Sequence, residues 1–465
     1  MKLNYFNFKI INGRVLLTND LGKYVSLAPD EFRLMLSKKI EAGSALESKL
    51  LDASMIYDGS DLQFSSQHHY ELREIKGFMA EATSLHIFVV TTACNQDCIY
   101  CQANSGTKCP NCFMTKEIAE KSVDIALQSP GKNLNFEFQG GEPLLNFNVI
   151  RHIIEYTESR KGDRCIRYNI VSNLTLLSDE IISFISDYNI GISTSIDGPA
   201  FLHNKNRPFK NSGGTFQDVC EAVRHLKEAG IKPGAIQTTT KYSLPYAKEI
   251  IDSYHVLGFE SVFIRPLTPL GKAKIHWNEI GYTPQEFLKF YIEAVSAVLD
   301  LNRQGYYMYE ANAAILLKRI HGFTMNYMEL RSPCGAGIGQ IAYFADGRVF
   351  TCDEGRMMAE MGDDSFQIGS VFKDNYQVMM KHNVCRTACA SSTLETIPSC
   401  CDCVYLPYCG TCPVVNYALY NDVIEKSPHS FKCQINEGIL DYLFSIILNQ
   451  ANEDRIILDE WCDNS

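Results

Sequence analysis

Five cysteines crowd into the stretch "TTACNQDCIYCQANSGTKCPNC", and three of them, Cys94, Cys98 and Cys101, stand at C-x3-C-x2-C spacing. Thiolates this close together can wrap one metal centre. A structural zinc asks for four protein ligands, often as two C-x2-C knuckles. A cube of four irons held by three cysteines keeps one iron open to a substrate or cofactor. Cys109 and Cys112 follow in "KCPNC" without the partner pair zinc would need, and read as spare thiols of a solvent-facing loop. A second group, Cys334, Cys352, Cys400, Cys403, Cys409, Cys412 and Cys433, lies toward the C-terminus. It contains two C-x2-C pairs, which suit zinc as well as iron. Between the groups stands "FEFQGGEPLLN". There Gly140 and Gly141 let the backbone approach a ligand closely. Glu142, ahead of Pro143 at a strand end, can accept hydrogen bonds from an ammonium group.

Such chemistry needs a scaffold that brings loops to one face. From residue 85 onward "LHIFVVTTA", "NLNFEFQG", "RYNIVSN", "IGISTSID", "KPGAIQTTT" and "SVFIRPL" read as strands. Stretches of helical periodicity separate and follow them, from "TKEIAEKSVDIALQS", with Thr115 as its N-cap, to "TPQEFLKFYIEAVSAVLDLNRQG". Six strand–helix repeats predict an α/β fold, a partial (β/α)6 TIM-type barrel over residues 85–305. Cys94, Gly140 to Glu142, Asn173 and Asp197 fall just after strands, where such sheets carry their active sites. Residues 1–80 read as a small winged-helix-like module, a hairpin around Asn19-Asp20-Leu21-Gly22 followed by helices. Residues 306–465 are rich in turns and cysteines up to a final helix, "INEGILDYLFSIILNQ", and predict a domain that needs metal to hold its shape.

Composition bounds the rest. The 465 residues call for two or three domains, and 46% hydrophobic with 21% charged residues is ordinary for a globular chain. A net charge of −11 argues against nucleic acid, which needs a basic patch. No apolar run reaches the ~18 residues of a membrane span, and "MKLNYFNFKIINGRVLL" lacks the features of a signal peptide. The 18 cysteines are clustered in a long chain, which points to metal ligands in a reducing cytoplasm and not to a disulfide framework.

The C-x3-C-x2-C spacing with Tyr100 before its last cysteine resembles the signature of radical S-adenosylmethionine (SAM) enzymes. That resemblance implies a 4Fe–4S cluster whose open iron chelates the amino and carboxylate groups of SAM. One electron then cleaves the sulfonium, and the 5′-deoxyadenosyl radical abstracts a substrate hydrogen. It also implies that Gly140, Gly141, Glu142 and Pro143 bind the SAM amino group, that Tyr100 packs beside the cluster, and that Asn173, Ser195 and Asp197 line the SAM pocket. The C-terminal pattern, Gly347-x4-Cys352 followed by Cys400-x2-Cys403-x5-Cys409-x2-Cys412 and Cys433, resembles the SPASM extension, which carries auxiliary 4Fe–4S clusters on peptide-modifying members. By position Cys400, Cys403, Cys409 and Cys433 would hold one auxiliary cluster, and Cys334, Cys352 and Cys412 the other. The family's spacing before its sixth cysteine is usually x3, and here it is x2. Gln340 stands where fully ligated relatives have a further cysteine, which leaves an open iron or an unidentified fourth ligand. In sulfatase-maturating relatives an aspartate at the place of Asp353 acts as a base; Glu354 is the adjacent alternative, and a turn role beside Gly355 is another.

A longer resemblance, to the radical SAM maturase of the His-Xaa-Ser peptide system and its cyclophane-forming relatives, runs through "LLTNDLGKYV", "STSIDGPAFLHNKNRP", "IIDSYHVLGFESVFIRPLTPLG", "DEGRMMAEMGD" and "CCDCVYLPYCGTCPV". Members of that family commonly carry alanine or serine at the positions of Cys334, Cys352 and Cys412, so the cysteines here set this chain apart. The resemblance implies a ribosomally made precursor peptide with a leader as substrate, and a reductant such as flavodoxin or ferredoxin. The expected reaction takes a side-chain β-hydrogen and forms a carbon–carbon crosslink to an aromatic ring. Residues 1–80 would recognise the leader or serve as a structural cap. The rival readings are a formylglycine-generating sulfatase-type maturase and a SPASM enzyme making a thioether or an epimer.

Overall fold

The computed structural model describes residues 1–79, 81–103, 112–323, 327–449 and 453–464; Cys109 lies outside them. Strand β1 (Leu85–Thr91) runs through the middle of a ten-stranded sheet and is buried along almost its whole length. Its Phe88 and Val90 face the main core, while Ile87 and Val89 pack with Ala342, Phe344 and Phe350 on the other side. Strands β2 (Asn133–Gly140), β3 (Cys165–Val171), β4 (Gly191–Ser195), β5 (Gly234–Thr238) and β6 (Ser261–Arg265) follow outward in chain order, each parallel to the last. Helices Lys116–Ala126, Phe147–Arg160, Asp179–Asp187, Phe216–Glu228 and Ala247–Val256 connect them, and Pro284–Arg303 follows β6. The helix starts are chemically marked: the Thr115 hydroxyl accepts from the Ile118 N–H at 3.3 Å, and Thr283 with Glu286 forms a capping box.

The sheet continues past these six strands. β7 (Tyr309–Glu310) adds in parallel beyond β6, and β8 (Gln340–Tyr343) pairs in parallel with the free side of β1. β9 (Arg348–Phe350) and β10 (Gln367–Ser370) then extend that edge antiparallel, so the whole sheet is mixed. The cysteine-rich region therefore supplies both edges of the sheet. Two features hide these strands from a periodicity reading: β7 has two residues, and β8 is buried at every position, which removes the alternation. Among the described residues no helix is long and apolar enough to cross a membrane.

The N-terminal module is a three-stranded antiparallel sheet, Asn7–Ile11, Arg14–Thr18 and Tyr24–Leu27, with helices Pro29–Leu36, Ala45–Asp52 and Asp61–Ile75 after it. Its central strand is buried on both faces. Val15 and Leu17 pack with Met35 and Leu50 of the module's own helices, whereas Leu16 turns into the main core. Polar contacts reinforce that docking: Thr18 Oγ1 donates to the Val404 carbonyl at 2.6 Å, and Lys9 pairs with Glu437 at 2.6 Å on the long helix Phe431–Ile447. Phe444 on that helix is fully buried and touches three rings, Tyr24, Tyr405 and Tyr408, at centroid distances of 5.4, 5.8 and 5.7 Å. One side chain thus joins the N-terminal module to the cysteine region. Phe444→Ala is expected to cost about 3–5 kcal/mol and to lower the thermal midpoint accordingly; a cost under about 1 kcal/mol would mean that this aromatic junction does not carry the docking.

Candidate active site

The cysteine loop, residues 94–101, leaves the end of β1 and is held by three separate segments. The first is the Gly-Gly-Glu turn at the end of β2, where the Gly141 N–H donates to the Thr91 carbonyl at 2.9 Å and the Glu142 N–H to the Ala93 carbonyl at 2.8 Å. A Cβ on Gly140 would stand 2.2 Å from the Thr91 oxygen, and one on Gly141 would stand 2.2 Å from the Ala93 oxygen. Only glycine lets the two chains pass this close. The second segment, residues 206–210, runs antiparallel to the loop. Ile99 N–H donates to Asn206 O at 3.0 Å, Asp97 N–H to Pro208 O at 2.8 Å, and Lys210 N–H to Asn95 O at 3.0 Å. The third follows β6: Lys272 N–H donates to Cys101 O at 2.9 Å, and its ammonium pairs with Asp97. Gly271 beside it has φ +53°, and a Cβ there would stand 2.3 Å from the Gln102 oxygen.

Burial pushes the Cys94 thiol up to about 11 and the Cys98 thiol up to about 12, with the other loop thiols adding to the shift. Such groups stay protonated on their own and ionise when a cationic centre takes them as ligands. The three thiols therefore fit the donor set of a cluster with one open iron. Beneath them lies a buried network. Tyr100 donates its hydroxyl to Asp197 at 2.7 Å, Arg207 Nε lies 3.3 Å from the same carboxylate, and Arg207 Nη1 is 3.9 Å from Cys98 Sγ. The backbone N–H of Asp197 donates to His203 Nδ1 at 3.3 Å, and burial lowers that imidazole to about 4, which keeps it neutral. Asp197 is fully buried and its carboxylate also accepts from the Thr238 N–H at 3.3 Å, so it can act on a pocket only through its partners.

Glu142 is also turned inward. Its carboxylate accepts from Asn173 N–H at 2.7 Å, Ser172 Oγ at 2.8 Å and Leu144 N–H at 3.0 Å, and burial raises it to about 7. It ties the end of β2 to the end of β3. Asn173 Nδ2 donates to Asn95 Oδ1 at 2.9 Å, which joins β3 to the cysteine loop as well. Ser195, half-buried, ends β4.

The C-terminal thiols fall into two places. Cys334, Cys352 and Cys412 line a cavity of about 120 Å³ with Gln340, Glu354 and Lys432. At the same cavity Arg265, the last residue of β6, pairs with Glu329 at 2.9 Å. Cys400, Cys403, Cys409 and Cys433 lie within one another's electrostatic reach, and burial holds all four thiols up. Asn436 Nδ2 approaches Cys409 Sγ at 3.5 Å, and Ser427 Oγ lies 3.1 Å from Cys433 Sγ. Among the described residues no three His, Cys, Asp or Glu side chains converge tightly enough to hold a single metal ion. Cys112 sits apart from both places, its backbone carbonyl bonded to Thr91 and Thr92. Asp353 opens the helix Asp353–Glu360 and accepts from Arg356 Nε at 2.7 Å; Arg356 also donates to Glu360 at 2.6 Å and to Gln139, beside Gly140, at 3.3 Å.

Arg207, Lys272, Arg356 and Lys432 belong to neither the cysteine spacings nor the Gly-Gly-Glu-Pro segment. The first two lie in "HNKNRP" and "PLTPLGKAK", polar stretches that follow β4 and β6 and so had a positional signal.

Residues 88–254 match the model of the Radical SAM superfamily. An uncharacterized protein of Methanocaldococcus jannaschii is 33% identical over 190 residues, 41% of this chain; the chain spans 64% of that relative's length. The cysteine-type anaerobic sulfatase-maturating enzyme of Clostridium perfringens is 24% identical over 386 residues, 79% of this chain and 98% of that enzyme. Among solved structures, native anSMEcpe with bound AdoMet and Kp18Cys peptide superposes with a TM-score of 0.67 at 18% identity, covering 82% of this chain and 99% of that one. Streptococcus suis SuiB bound to precursor peptide SuiA gives 0.55 at 15% identity, covering 93% and 98%. Residues 88–254, which contain the cysteine loop, are thus similar to the radical SAM superfamily, and the chain as a whole shares the fold of the sulfatase-maturating enzyme structures. Sulfatase-maturating enzymes are among its relatives.

The buried network gives a graded expectation. Arg207→Ala leaves Asp197 buried without its counter-charge and should cost about 3–5 kcal/mol. Tyr100→Phe removes one hydrogen bond and should cost about 1–3 kcal/mol. Thermal unfolding of the two variants checks the order; equal costs would contradict it.

Proposed function

We propose that this chain uses SAM to modify a ribosomally made precursor peptide, taking a side-chain β-hydrogen and closing a carbon–carbon bond to an aromatic ring. The observation that carries this reading is the Asp353–Arg356–Gln139 link, which ties Asp353, flanked in sequence by the cavity-lining Cys352 and Glu354, to Gln139 beside Gly140. When bound, the clusters and SAM would supply a hydrogen-abstracting radical and a sink for the electron that the crosslinked product releases. In this reading Cys94, Cys98 and Cys101 hold the SAM-binding cluster. Cys334, Cys352 and Cys412 hold one auxiliary cluster, and Cys400, Cys403, Cys409 and Cys433 the other. The backbone from Gly140 to Pro143 receives the SAM amino group while the Glu142 side chain braces that turn. Asn173 and Ser195 line the SAM pocket, with Tyr100 beside the cluster and Asp197 acting through it. Asp353 takes the ring proton, and Arg356 fixes the direction of its carboxylate.

The N-terminal module would dock the leader. Its strand Asn7–Ile11 is a sheet edge, and Phe8 and Ile10 on it are exposed, which suits the addition of an extended peptide strand. A cytoplasmic flavodoxin or ferredoxin would deliver the electron, and neither nucleic acid nor membrane takes part. A second reading, formylglycine formation on a sulfatase-like substrate, is favoured by the likeness that spans 98% of the Clostridium perfringens enzyme.

Mass spectrometry of a candidate precursor, incubated anaerobically with reduced enzyme and SAM, separates the two. Loss of two hydrogens in a product without an aldehyde supports crosslinking; a hydrazide-reactive product supports formylglycine; an unchanged mass contradicts both. Asp353→Asn should still cleave SAM to 5′-deoxyadenosine yet form product about 100-fold more slowly, and undiminished product formation would remove Asp353 from the mechanism.

A further inference from the structure

The cavity of Cys334, Cys352 and Cys412 holds one more group suited to a metal. Three thiolates serve three corners of a four-iron cluster and leave the fourth iron to another donor. Several oxygen-bearing side chains stand at the wall, among them Gln340 on β8, Glu329, whose carboxylate Arg265 holds, and Glu354 in the first turn of the helix that Cys352 caps. A carboxamide oxygen is a neutral donor, whereas a carboxylate is anionic and serves iron as a ligand. Glu354 follows Cys352 by two residues and lines the same cavity as Cys334 and Cys412. The nearby guanidinium of Arg265 is engaged by Glu329. Among the described residues no other side chain donates a hydrogen bond to Glu354. A half-buried carboxylate that lines a thiol cavity without such a donor is placed to serve a metal as a ligand.

We propose that Glu354 is the fourth protein ligand of the auxiliary cluster held by Cys334, Cys352 and Cys412, its carboxylate oxygen binding the iron that has no cysteine. This rests on the reading that those cysteines hold a cluster. A site closed in this way carries electrons and excludes exogenous donors.

The test uses the full chain with Cys94, Cys98 and Cys101 all changed to alanine, prepared anaerobically, so that only auxiliary clusters remain. About eight irons per chain are expected; about four or fewer overturns the cluster reading and the proposal with it. Isotope-labelled cyanide is then added to the reduced protein, and its coupling to the cluster is read by electron–nuclear double resonance. No coupling is expected while Glu354 is present, and coupling is expected in Glu354→Ala at unchanged iron content. Coupling in the protein that retains Glu354 shows an open iron, and no coupling in either shows a different ligand; each overturns the proposal. If Glu354→Ala loses iron, Glu354→Cys decides. Retained irons with a changed electron paramagnetic resonance spectrum support the assignment, and lost irons or an unchanged spectrum overturn it. Gln340→Ala should leave the spectrum as it was, and a loss of the cyanide block in that variant assigns the site to Gln340 instead.

Discussion

Everything at the candidate site depends on how closely three backbone segments can lie against the cysteine loop. The loop has no regular structure of its own to hold Cys94, Cys98 and Cys101 together. Its shape comes from the ends of β2 and β6 and from residues 206–210, each bonded to its backbone amides or carbonyls. At the three tightest points the approach excludes a side chain, and glycine stands there, at Gly140, Gly141 and Gly271. The Tyr100–Asp197–Arg207 network then fixes the floor. Buried charge of this kind is tolerated only when paired, which makes the floor rigid and intolerant of losing one partner.

The same sheet that presents the loop also positions the C-terminal thiols. β8 pairs with β1, so the segment from Cys334 to Cys352 is anchored directly beside the strand from which the cysteine loop springs. The helix Phe431–Ile447 carries Lys432 and Cys433 at one end and Phe444 near the other, and so links the auxiliary thiols to the N-terminal module through a common core. Peptide, SAM and auxiliary chemistry would thus share one scaffold.

Much of this was legible in the sequence, for identifiable reasons. The cysteine spacing and "GGEP" are contiguous, and the six strand–helix repeats have the strong periods that packing on one sheet imposes. Other features depend on partners far apart in the chain. Side-chain type alone does not say that Glu142 and Asp197 turn inward to brace the site, since their donors come from β3 and from residues near 207. The helix Asp353–Glu360 is capped by a cysteine, outside the usual N-cap set, and the helix Asp61–Ile75 buries no residue fully, so neither left a clear pattern. The extension of the sheet by β7 and β8 to β10 was hidden by shortness and by two-sided burial.

The central claim is that the clamped loop holds a cluster whose open iron receives SAM. Electron paramagnetic resonance of the reduced protein, recorded with and without SAM, tests it most directly. The account predicts a SAM-dependent change in the spectrum that disappears in Cys98→Ala while the remaining signals persist. A spectrum indifferent to SAM, or a change that survives Cys98→Ala, would contradict it.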